Sequence, residues 1–114
     1  MRSLRVSPGF RAFALDQLAR VPNLLPRPMF GGIGLYSDGV FFGILAADVM
    51  YFKVDDQTRP DYEAAGMAPF APFADRPTTM TMPYYSVPVH VLEDSDTLLG
   101  WARRAVVAAK RTQK

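Results

Sequence analysis

The sequence predicts an α+β domain of two layers, an antiparallel sheet with helices on one face, in the order α-β-β-β-α-β-β-α. Three observations predict it. Residues 29–54 read as three short strands joined by two tight turns. Helical spacing of apolar residues precedes and follows them, and the ten prolines and eight glycines punctuate element boundaries rather than forming a low-complexity tract. No repeat or linker is visible, so the 114 residues read as a single domain over 1–114.

The first helix opens at Ser7-Pro8, a serine N-cap followed by proline where its missing N–H is not needed. Phe10, Phe13, Ala14, Leu18 and Val21 form its apolar stripe, and Pro22 stops it. From Pro22 to Pro28 three prolines make the chain extended and lead it onto the first strand.

Asp38-Gly39 between apolar runs is a strong hairpin signal, because a type I′ turn needs positive φ at both central residues. Such a turn pairs Ser37 with Val40, Leu35 with Phe42, Gly34 with Gly43 and Ile33 with Ile44. Alternation then puts Ile33, Leu35, Phe42 and Ile44 on one face. The other receives Tyr36, Phe41 and Leu45, with Gly32, Gly34 and Gly43 leaving a trough. A second turn at Ala47-Asp48 brings Val49 to Val54 alongside, with Phe52 over Gly43. Met50, Phe52 and Val54 join the trough face, which is expected to meet the helices; Tyr51 and Lys53 join the open one.

Thr58 is the expected N-cap of a short helix carrying Pro60 and Asp61, closed by Gly66. Two weaker strands follow, about 68–73 and 78–85, around a turn containing Asp75-Arg76-Pro77; prolines at 69, 72 and 83 make them edge-like. Asp94 or Ser95 caps the last helix. Its stripe is Leu98, Trp101, Ala102, Ala105, Val106 and Ala109, and Gly100 reads as a close approach to the sheet.

Composition narrows the function classes. A net charge of +2 is small for a nucleic-acid binder, and the absence of cysteine removes disulfides and thiolate chemistry. With no signal-length or membrane-length apolar run, a soluble, cytoplasmic protein without membrane contact is expected. No catalytic or metal-ligating constellation is apparent, and no cofactor is expected. His90, the lone histidine, cannot build a metal site by itself. Gly31-Gly32-Ile33-Gly34 lacks the Lys-Ser/Thr ending of a phosphate loop. Asp48, Asp55, Asp56 and Asp61 lack calcium-loop spacing and read as turn and helix-entry residues.

Several surfaces remain as interaction candidates. Arg103, Arg104, Lys110 and Arg111 make a candidate basic patch, and with it the alternative of direct nucleic-acid binding through the last helix. Tyr84, Tyr85 and Trp101 offer a second alternative, a small-molecule-sensing pocket. The open sheet face, carrying Phe42, Ile44 and Tyr51, offers a homodimer contact. The candidate interaction surface is Arg27, Tyr36, Phe42, Ile44, Tyr51, Lys53, Tyr84 and Tyr85.

Arg27-x-Met29-Phe30-Gly31-Gly32-x-Gly34-Leu35-Tyr36, with Asp38-Gly39 after it, resembles the N-terminal domain of the TfoX/Sxy competence-regulator family. Tyr51-x-Lys53 with Asp55, Tyr62-Glu63-Ala64-x-Gly66, and Met82-Pro83-Tyr84-Tyr85-x-Val87-Pro88 are similar to its later segments. So are Leu92-Glu93-Asp94 and Leu98-Leu99-x-Trp101-Ala102 with Ala105, and the likeness spans about residues 10–110. The resemblance implies this element order, no catalysis, and a bacterial regulatory role exercised on a protein partner. In full-length competence regulators this domain is followed by a further C-terminal domain, for which the 114 residues leave no room, so a domain standing alone is expected.

Overall fold

The computed structural model describes residues 3–71 and 82–112. The chain forms an antiparallel sheet of six strands in the order β1-β2-β3-β4-β6-β5, with helices packed on one face. In chain order the elements are α1 (Pro8–Gln17), β1 (Leu24–Met29), β2 (Gly32–Ser37), β3 (Val40–Ala46), β4 (Val49–Lys53), α2 (Arg59–Ala64), β5 (Pro69–Phe70), β6 (Met82–Ser86), α3 (Val89–Leu92) and α4 (Ser95–Thr112). The predicted class and layering therefore hold, with one strand and one short helix more than the sequence pattern indicated.

The extra strand is β1. Pro26 and Pro28, expected only to extend the chain, lie in a strand paired with β2 along its whole length. Residues two apart in a strand point their amide positions the same way, so both missing N–H groups turn from the partner, which only an edge strand tolerates. A two-residue turn at Phe30-Gly31 joins β1 to β2. There, at Asp38-Gly39 and at Ala47-Asp48, both central residues have positive φ, as the twist of a tight hairpin requires. Phe30 is 78% exposed in that conformation.

The predicted register holds for two pairs past the Asp38-Gly39 turn and fails at the third. Ser37 faces Val40 and Tyr36 faces Phe41, but Leu35 then faces Gly43, Gly34 faces Ile44 and Ile33 faces Leu45. Phe42 is the extra residue of a β-bulge, and a bulge breaks strict alternation. The consequence is a correction to the facing. Ile33, Leu35 and Phe42, expected on the open face, lie in the helix-side core with Leu45, Met50, Phe52 and Val54. Tyr36 and Phe41, expected on the trough face, lie on the outer side. The β4 assignment stands: Tyr51 is in the outer cluster and Phe52 covers Gly43.

Local chemistry explains the helix ends. The Ser7 hydroxyl accepts from the Phe10 amide at 3.2 Å, but α1 ends at Gln17, ahead of Pro22. Thr58 precedes α2 without capping it through its side chain; the Asp55 carboxylate instead accepts from the amides of Gln57 and Thr58, each at 3.0 Å. Gly66 closes α2 with positive φ, its amide donating to Glu63 and that of Met67 to Tyr62, both at 3.0 Å, a Schellman closure. Asp94 caps α4 by accepting from the Asp96 amide and the Thr97 hydroxyl. Gly100 is exposed with nothing near its Cβ position, so it marks no approach to the sheet.

The main core lies between sheet and helices, where Ala14, Leu18, Val91, Leu98, Ala102 and Ala105 meet the strand residues above. A smaller core covers part of the other face: Leu4 and Phe70 pack on Ile44, Ala46, Tyr51 and Tyr84. The described parts of the expected strands at 68–73 and 78–85 are β5 and β6; residues 72–73 and 78–81 and the Asp75-Arg76-Pro77 turn lie outside the described residues. No described helix is long and apolar enough to cross a membrane.

Candidate functional site on the outer sheet face

Arg27, Tyr36, Lys53 and Tyr84, on four different strands, converge on the outer face, and Phe41 completes the group. The Arg27 guanidinium lies over the Tyr36 ring at 5.5 Å. Tyr36 stacks on Phe41 at 5.1 Å with 28° between planes, Phe41 meets Tyr84 at 5.5 Å, and Lys53 Nζ lies 5.3 Å from the Tyr84 centroid. The row runs from the β1 edge toward the far end of α4, where Val40, Phe41, Lys53, Tyr84, Ala109 and Thr112 line a hollow of about 190 Å³. Arg27 is exposed, Tyr36, Phe41 and Lys53 are half-buried, and Tyr84 is buried. Burial pushes the Tyr84 phenol up to about 12, with the Tyr36 phenol adding in the same direction. Burial lowers the Lys53 ammonium from its usual range, and Asp55 opposes that shift.

Other expected surface residues do not share this face or its exposure. Phe42 is buried under the helices, and Ile44 and Tyr51 are buried beneath Leu4 and Phe70, so the three make no exposed patch. Tyr85 points to the helix side. It meets Tyr62 at 6.1 Å, Tyr62 meets Trp101 at 4.8 Å, and the Tyr85 hydroxyl donates to Glu63 at 3.4 Å. Tyr84 is thus separated by the sheet from Tyr85 and Trp101, and the three do not line one pocket.

The basic patch is also divided. Helical spacing sets Arg104 and Arg111 on one stripe and Arg103 and Lys110 on another, about 100° apart. Arg104 pairs with Asp61 at 3.2 Å and lies over Trp101, and Arg111 pairs with Asp55 at 2.7 Å. These pairs tie α4 to the entry of α2. Burial pushes the Asp55 carboxyl up, but Arg111 and the two capping amides outweigh it and hold the group below its usual range. Arg103 and Lys110 border a separate hollow beside Asp38. Nothing among the described residues gathers the four cations into one electrostatic footprint.

Sequence alternation missed Phe41, because the bulge at Phe42 exchanged the two faces. An Asp-Gly turn followed by Phe-Phe-Gly holds the signal in retrospect, since a glycine inside a strand is a common companion of a bulge. Among the described residues no group of three or more His, Asp or Glu is placed to hold a metal ion.

The sequence profile described as the TfoX N-terminal domain matches residues 16–109. No curated protein matches the chain. The profile takes in β1–β6, the outer row and nearly all of α4, and the chain belongs to the TfoX N-terminal domain family.

Proposed function

We propose that the chain is a non-enzymatic regulatory domain of the competence-regulator type that works through contacts with a protein partner. One observation carries the reading: on the face the helices leave free, a row of partly open aromatic rings ends on the buried Tyr84 and carries two cations that have no ion pair among the described residues. Family membership supports the regulatory context.

Transcript profiling of the source organism tests it. Deleting the gene is expected to change a defined set of transcripts, and the wild-type chain is expected to restore them. The Arg27→Glu variant is expected not to restore them, whereas Arg103→Glu, on the helix layer, is. An unchanged transcript set on deletion, or full restoration by Arg27→Glu, overturns the reading.

A further inference from the structure

The charges of this molecule are segregated by layer. The six strands contain two charged residues, Arg27 and Lys53, both cations on the outer face, and no carboxylate. The acidic residues of the described chain lie in turns and on the helix layer. Asp55, the carboxylate nearest Lys53 in sequence, is held by Arg111. Among the described strand residues the outer face is therefore an apolar row carrying only positive charge.

The geometry decides between occupants. Tyr36 and Phe41 stack on each other, Arg27 covers Tyr36 and Lys53 covers Tyr84, so the ring faces a nucleobase would use are occupied. A second copy meeting this face would bring cations against cations, which is unfavourable. The prolines of β1 blunt the sheet edge against strand addition, leaving the face itself. Arg27 and Lys53 rise from β1 and β4, about 14 Å apart across three strand spacings and about 7 Å apart along them, since Arg27 is level with Tyr51; the resulting gap of about 16 Å is one their long side chains can narrow. An extended peptide advances roughly 3.3 Å per residue and points residues i, i+2 and i+4 to one side, so its i and i+4 side chains stand about 13 Å apart.

From this match we infer that the outer face docks an extended acidic segment of a partner protein. Its carboxylates at i and i+4 meet Arg27 and Lys53, and its apolar side chain at i+2 rests on the edges of Tyr36 and Phe41. The inference rests on the regulatory reading above and adds the chemistry of the partner.

The test uses the full chain, isotope-labelled, titrated with acetyl-Glu-Ser-Leu-Ser-Glu-amide at low salt, with acetyl-Lys-Ser-Leu-Ser-Lys-amide, acetyl-Glu-Ser-Ser-Ser-Glu-amide and oligothymidine as comparisons. The acidic peptide is expected to shift the resonances of Arg27, Tyr36, Phe41 and Lys53 and to lose affinity as salt rises. Arg27→Glu is expected to weaken it tenfold or more, and Arg27→Glu with Lys53→Glu to prefer the lysine peptide. Should Lys53→Glu not fold, Lys53→Gln replaces it, with loss of binding expected in place of reversed preference. Equal response to the acidic and basic peptides, no response on this face, a stronger response to oligothymidine, or concentration-dependent self-association through these residues would each overturn the inference. If the peptide fails while Arg27→Glu still does not restore the transcripts, the acidic occupant is wrong and the regulatory reading stands.

Discussion

Tyr84 shows how one buried phenol links the outer face to pH. Its proton is held to about 12, and burial also pushes Tyr62 above the ordinary tyrosine range of about 10. Between pH 10 and 12 the folded chain therefore keeps protons that the unfolded chain gives up. Stability from these groups is complete below about pH 10 and falls as pH rises toward 12, by roughly 1.4 kcal/mol per pH unit for each tyrosine. Replacing Tyr84 by phenylalanine keeps the ring between Phe41 and Lys53 and removes one titrating group. Urea midpoints at pH 9, 10 and 11 are expected to fall less steeply for Tyr84→Phe than for the wild type; identical slopes would show that the phenol ionises without cost.

The elements were legible in proportion to how locally they are determined. Ser7-Pro8, Asp38-Gly39, Gly66 and Asp94 act through neighbours within a few residues, and each sits at the boundary its chemistry indicates. The bulge at Phe42 and the edge strand β1 depend on how neighbouring strands pair across their turns, and side-chain periodicity does not report that. Gly100 illustrates the difference, because a helical glycine reads alike whether or not another element is close. With open space around it, Gly100→Ala is expected to stabilise the chain by about 1 kcal/mol, raising Tm by about 4 °C. Gly32→Ala is expected to do the opposite. A Cβ there would lie 2.6 Å from the Leu45 carbonyl oxygen and 3.3 Å from that of Leu4, both backbone atoms, so strands must separate at a cost of about 1–3 kcal/mol. Thermal melts of both variants check the pair; equal signs would mean that the space at one position was misjudged.

At the scale of the whole molecule, the sheet divides two cores of unequal size, and this explains how much of the candidate site could be read beforehand. Arg27, Tyr36, Lys53 and Tyr84 were legible as surface chemistry, but which of them share a face depends on the bulge and on Leu4. Leu4 arrives from a segment tied to the distant β3–β4 turn. Its carbonyl accepts from the Ala47 amide at 3.1 Å, the Ser7 amide donates to Asp48 at 2.7 Å, and its side chain is buried against the outer cluster. This segment roofs Ile44 and Tyr51, and Tyr84 is buried in the same cluster, which leaves the open part of the face to Arg27 and to the half-buried Tyr36, Phe41 and Lys53. Leu4→Ala should then act on one core rather than both. Truncation leaves a cavity worth about 2–4 kcal/mol. Amide exchange is expected to quicken first at Gly32 and Ala47, by local opening of that end of the sheet, while Leu98–Ala105 of α4 respond only to the loss in global stability. Uniform acceleration across α4 and the strand ends would show instead that both cores open as one cooperative unit, and that the outer face is as rigid as the helix side.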